Sequence, residues 1–113
     1  MKIKPQEVEN NIASEHYFTA FEGVLGAYRN NNDMHPIGGS PDADETEKLK
    51  SLTICVLTLR NGFTVTGESA PINPNNFDPK IGRQVARRRA VDKIWPLMGY
   101  AALRESKARE GKA

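Results

Sequence analysis

Apolar and polar residues alternate most regularly over positions 52–69, LTICVLTLRNGFTVTGES. Alternation at period two predicts strands. Asn61-Gly62 in the middle predicts a hairpin, because a two-residue type I′ turn needs positive φ at both central positions. That turn sets a register in which Arg60 faces Phe63, Leu59 faces Thr64, Thr58 faces Val65, Leu57 faces Thr66 and Val56 faces Gly67. One face then carries Ile54, Val56, Thr58, Arg60, Phe63 and Val65, and the other Cys55, Leu57, Leu59, Thr64, Thr66 and Glu68. Both faces are half apolar. A hairpin is marginal alone in water, so each face is expected to be covered.

The pattern changes to helical spacing after Asp78. Asp78 is the expected N-cap, Pro79 suits the first helical position, and the helix is predicted to run to at least Trp95. Ile81, Val85, Val91 and Trp95 form the larger apolar stripe, into which Arg88 and Asp92 fall four residues apart. Ala86, Ala90, Ile94, Leu97 and Ala101 form a flatter stripe nearly opposite. The larger stripe is expected against the hairpin. Pro96 is expected to kink or end the helix, because it lacks an N–H and crowds the preceding turn. A last helical piece, YAALRESKAR, follows.

The N-terminal third is less regular. Residues 5–14, PQEVENNIAS, read as a short helix with Pro5 at its start, Glu7 and Glu9 in its first turns and Val8 and Ile12 as a narrow stripe. Helix is expected to about Tyr17. Beyond it, Tyr17, Phe18, Phe21, Leu25 and Tyr28 keep helical spacing, while Gly23 and Gly26 argue for a break or an extended piece. Residues 29–47 are rich in Asn, Asp, Gly and Pro and read as a flexible inserted loop. The expected whole is one α+β domain over residues 1–113: short helix, loop, hairpin, long kinked helix. Two-sided burial on the hairpin and on the helix points to a homo-oligomer. The alternative is that residues 15–28 fold back as the cover.

Charge adds one feature. The net charge of the 113 residues is +2, but residues 80–113 carry +7 and residues 1–79 carry −5. Such a basic end seeks phosphates or an acidic neighbour, or simply faces water. Lys80, Arg83 and Arg87 share one edge of the long helix near its N-terminus, where free N–H groups also favour anions. They are the candidate ligand-binding residues, together with Glu68 and Ser69 at the end of the hairpin. Against this, Asp78 occupies the cap, and Arg87, Arg88 and Arg89 encircle the helix. Gly67 marks a bulge or a close backbone approach.

Trp95, Tyr100, Tyr17 and Phe18 read as core rather than as platforms for bases. Cys55 is a lone cysteine expected to be a buried hydrophobe. His16 and His35 have no metal-ligand spacing, and no catalytic set, phosphate loop or cofactor motif is present, so no catalytic, metal or cofactor site is assigned. No apolar run is long enough to span a membrane. With no signal peptide visible, a cytoplasmic location is expected.

The segments SEHYFTA, LTICVLTLRNGFTVTGESA, NFD, IGR and WPLMGY, in that order, are specific as a set. They resemble a family of small tailed-phage proteins known as gene product 49 and gene product 66. The resemblance covers about residues 14–104 except for 29–47. It implies a phage or prophage origin and a small cytoplasmic product of the infected or lysogenic host. It brings no agreed activity, cofactor or site residue. The expectation is therefore a non-enzymatic accessory binding module with a host protein as partner. Homo-oligomeric sequestration of a small anionic, nucleotide-type ligand is the first alternative. Nucleic-acid binding through the basic C-terminal helix is the second.

Overall fold

The computed structural model describes residues 2–30 and 43–112. Helix α1 (Pro5–Asn10) leads into strand β1 (Ile12–Thr19) and helix α2 (Ala20–Asn30). Helix α3 (Ala43–Glu47) continues into a 3-10 turn at Lys48–Ser51. Strands β2 (Thr53–Leu59) and β3 (Thr64–Ser69) form the hairpin, and a 3-10 turn at Pro74–Asn76 precedes helix α4 (Pro79–Lys112). The sheet is antiparallel in the order β1-β2-β3. The architecture is thus α+β, with an N-terminal helix, three strands and a long C-terminal helix.

The expected helix over 5–14 stops at Asn10, and the segment read as helical to Tyr17 is strand β1. In IASEHYFT the alternation is masked by Ser, Glu and His, and the segment becomes a strand because β2 offers it an open edge. A bulge at Ala13 separates the pairs Ile12↔Leu59 and Ser14↔Thr58, which keeps Ile12 on the core side while Ser14 falls on the other. At α2 the chain turns helical through a reciprocal cap: the Thr19 N–H donates to Glu22 Oε1 at 2.8 Å and the Glu22 N–H donates to Thr19 Oγ1 at 3.2 Å. Of the expected 29–47 loop, the described ends are helical, at Arg29–Asn30 and at Ala43–Glu47. Positions 31–42, and with them His35 and most of the expected flexible loop, lie outside the described residues.

The hairpin forms where expected, but one residue out of the expected register. Thr58 faces Thr64, Leu57 faces Val65, Val56 faces Thr66, Cys55 faces Gly67 and Ile54 faces Glu68. The loop has three residues, Arg60-Asn61-Gly62. The Gly62 N–H donates to the Leu59 carbonyl at 2.9 Å, and the Leu59 N–H donates to the Phe63 carbonyl at 2.8 Å. Only Gly62 takes positive φ, at 91°, so this is a tight turn followed by a left-handed glycine rather than a type I′ pair. A one-residue slip flips a whole strand. The inner face is therefore Thr53, Cys55, Leu57, Leu59, Val65 and Gly67, all buried. The outer face joins half-buried Ile54 and Val56 to Thr64, Thr66 and Glu68. Only the inner face of the hairpin is buried throughout, and it is apolar apart from Thr53.

Helix α4 lies on that inner face with the flatter stripe, not the larger one. Ala86, Ala90 and Ile94 are fully buried, whereas Ile81 is exposed and Val91 and Trp95 pack at the rim. Small side chains win because the backbones nearly touch. A Cβ on Gly67 would lie 2.1 Å from the Ala86 carbonyl oxygen and 2.4 Å from the Ala90 nitrogen. Gly67 is thus a close approach, opposite Cys55 rather than Val56. Val8 of α1 and Ile12 complete the core beside Leu57 and Ile94, each such side chain contributing about 2 kcal/mol by burial. Pro96 does not end α4, which is helical through to Lys112. The carbonyl left without its helical donor is that of Asp92, an exposed residue within reach of water.

Candidate functional site

The five candidate residues are not gathered into one place. Lys80 is exposed in the first turn of α4, where Asp78 Oδ1 accepts from the Lys80 N–H at 2.9 Å. Glu68 and Ser69 are adjacent on β3 and so point to opposite faces. Glu68 is on the outer face, accepting from Thr66 Oγ1 at 3.4 Å. Ser69 lies at the end of the inner face, in a shallow hollow with Asp78, Ile81 and Gly82. Gly82, beside Arg83 in the first turns of α4, is buried and so offers no open approach to an anion. A Cβ there would come 2.7 Å from Thr53 Oγ1, which is itself buried with no hydrogen-bond partner among the described residues.

Arg87 is committed within the chain. Its guanidinium donates to both oxygens of Glu9, at 2.9 and 2.7 Å, and to both oxygens of Glu15, at 3.0 and 3.1 Å. The Tyr17 hydroxyl donates to Glu15 Oε1 at 2.6 Å. This cluster ties α1, β1 and α4 together with the forked geometry that arginine offers carboxylates. Arg87 holds the Glu9 carboxyl below its ordinary value, and Arg87 followed by Tyr17 does the same to Glu15. The two carboxylates in turn raise the Arg87 value, while burial and then the bond to Glu15 push the Tyr17 hydroxyl up. Burial likewise raises the Cys55 thiol, which is fully buried and so inert packing. Part of the charge asymmetry between the two halves of the chain is thus spent inside one chain. The residues alone offered a hint in the acidic start and basic end, but no way to pair Glu9 with Arg87 without β1.

Arg83 has a different setting. It lines a hollow of about 350 Å3 with Tyr17, Phe18, Thr19, Glu22, Thr53, Phe77 and Pro79. It makes no described ion pair. The hollow combines one cation with three aromatic rings, though the Glu22 carboxylate shares it. Among the described residues, no group of three His, Cys, Asp or Glu side chains gathers as a metal site, and no helix is long and apolar enough to cross a membrane.

A second surface was not singled out by the sequence. Phe63, Thr64, Val65 and Thr66 of the hairpin and Lys93, Pro96 and Leu97 of α4 line a groove of about 430 Å3 along the β3 edge. Phe63 is 55% exposed, and past the sheet Tyr100 and Leu103 are 70% and 61% exposed. The sequence signal was limited to apolar residues beyond Pro96: Leu97 read there as continuation of the flatter stripe, and Tyr100, read as core, is instead exposed because it lies past the end of the sheet.

No curated protein and no solved structure matches the chain. A family model does, over residues 3–106, and it is described as "Phage protein (N4 Gp49/phage Sf6 gene 66) family". With nearly the whole chain matched, the protein belongs to this phage family, whose function is uncharacterised.

Proposed function

We infer that the protein is a non-enzymatic phage accessory factor that acts by binding a host protein. One observation carries the reading. Leu97, Tyr100 and Leu103 are exposed on α4, within about a third of the helix circumference at 100° per residue; Leu97 borders the groove beside β3, and Tyr100 and Leu103 carry the apolar surface on past it. A lone helical extension in water has little intrinsic stability, and clustered exposed apolar side chains mark interaction surfaces.

The homo-oligomer expectation rested on two-sided burial on the hairpin and on the long helix. With one apolar face already covered by α4, a protein partner at the far half of α4 is the simpler occupant. Sequestration of an anionic, nucleotide-type ligand is the second reading, favoured by the Arg83 hollow with its three aromatic rings. Nucleic-acid binding loses support because Arg87 is engaged by Glu9 and Glu15.

Native mass spectrometry of protein isolated gently from host cells separates the readings. A co-isolated protein that is lost with Leu103→Glu supports the first. Added mass of nucleotide size, lost with Arg83→Ala, replaces it with the second. A homo-oligomer with neither returns the argument to self-association.

A further inference from the structure

We propose that the β3 edge and the groove beside it accept an extended, acidic segment of a protein partner, which adds to the sheet as a fourth strand. The inference rests on the protein-binding reading above and gives the partner its chemistry.

Three observations converge. The first is the open edge. Among the described residues, sheet order leaves β3 unpaired on one side. The Leu59 N–H bonds the Phe63 carbonyl, and antiparallel pairs alternate. The N–H and C=O groups of Thr64, Thr66 and Glu68 therefore point away from β2. At the far end, Arg89 Nη1 donates to the Glu68 carbonyl at 2.8 Å and closes that part of the edge. The groups of Thr64 and Thr66 have no bond to any described residue outside the sheet. Edges of this kind recruit extended chains.

The second is the groove of about 430 Å3 between this edge and α4, lined by Phe63, Val65, Pro96 and Leu97. A strand added to β3 points alternate side chains to the α4 side of the sheet, where this groove receives apolar ones.

The third is charge. Lys93 lines the groove and Arg89 reaches the edge itself. Glu68, the carboxylate of β3, sits on the opposite face with Thr66. Asp92 lies about 100° round the helix from Lys93. A second copy pairing β3 with β3 would set Lys93 and Arg89 of both chains along one seam, where like charges repel. An acidic strand meets both cations favourably.

Selection of short random peptides displayed against the purified protein tests this. The expected winners alternate apolar and acidic residues. Winners that are basic, or that bind as helices, overturn the proposal, as does failure to enrich any sequence. A winning peptide is then resynthesised with N-methyl groups on alternate residues, which removes donors from one edge and leaves the protein untouched. One of the two methylation phases is expected to weaken binding roughly tenfold or more; equal affinity in both phases overturns strand addition. Thr66→Pro, which removes an outward N–H together with the Thr66 hydroxyl and spares the backbone bonds to β2, and Lys93→Glu are each expected to weaken the peptide by roughly tenfold. If Thr66→Pro instead dissolves a homodimer, the occupant is a second copy and the acidic partner is wrong. A host protein that stays bound to Thr66→Pro but leaves Leu103→Glu keeps the broader reading and overturns this one.

Discussion

The two halves of α4 are one helix under two regimes. From Pro79 to Trp95 the helix is held by contact with the sheet. Its buried line runs through Gly82, Ala86, Ala90 and Ile94, and Ala86 and Ala90 are small because backbone meets backbone at Gly67. Past Pro96, Met98 still packs against the core, and from there to Lys112 the helix is held chiefly by its own hydrogen bonds and by local ion pairs such as Arg109–Glu105 and Lys107–Glu110. Such exposed pairs each contribute a few tenths of a kcal/mol. The first half is a fixed part of the core, and the second is available surface. Apolar residues in the two halves look alike in composition and differ in what lies beneath them.

The sharpest way to break this contrast is at the close approach. Gly67→Ala places a methyl group where the Ala86 carbonyl already sits, and backbone cannot step aside as a flexible side chain can. The expected loss is about 3 kcal/mol, read by urea denaturation. An unchanged midpoint would mean that α4 does not ride on β3 as described.

Truncating matched apolar residues in the two halves gives the next effect. Ile94→Ala removes a fully buried side chain and is expected to cost about 2–3 kcal/mol. Leu103→Ala, at 61% exposure, is expected to change stability by less than about 0.5 kcal/mol. Comparable losses at both sites would show that the second half is packed in the isolated chain.

The smallest effect is electrostatic. Glu9 and Glu15 have folded-state values below the ordinary 4.5 because Arg87 bonds their ionised forms. Their stabilisation is thus complete above the unfolded value and is lost as pH falls through the lowered folded values. The two carboxylates are 44% and 37% exposed, so solvent screening keeps the effect small. Arg87→Met is expected to cost about 1 kcal/mol near neutral pH and to reduce the fall in melting temperature between neutral pH and about pH 3. An unaltered pH profile would show that the cluster does not tie α1 to α4.

Much of the local structure was legible because its causes are local. Asp78-Pro79 is a helix start in any context, and Asp78 caps Lys80 as expected. Asn61-Gly62 marks a turn, but the same pair serves a two-residue loop and a three-residue loop with a left-handed glycine. The choice between them rests on which register puts Val65 beside Leu57 under α4, and that contact belongs to the assembled fold. β1 was missed for a similar reason. Its alternation is weak in polar residues, and its strand state depends on pairing with β2. The candidate site fared likewise: Arg87 looked free in a list of residues and is clamped only once β1 and α1 bring Glu15 and Glu9 to it.

By itself, the sequence determined the α+β class, the hairpin, the start of the long helix and membership of the phage family. These follow from capping, turn chemistry and residue order, all of which act over a few neighbours. Only the tertiary structure decided the hairpin register, the third strand, the helix face that meets the sheet and which arginines remain available. Each depends on two distant segments sharing one space, where backbone distance at Gly67 and charge pairing at Arg87 select among alternatives that local preference leaves equal.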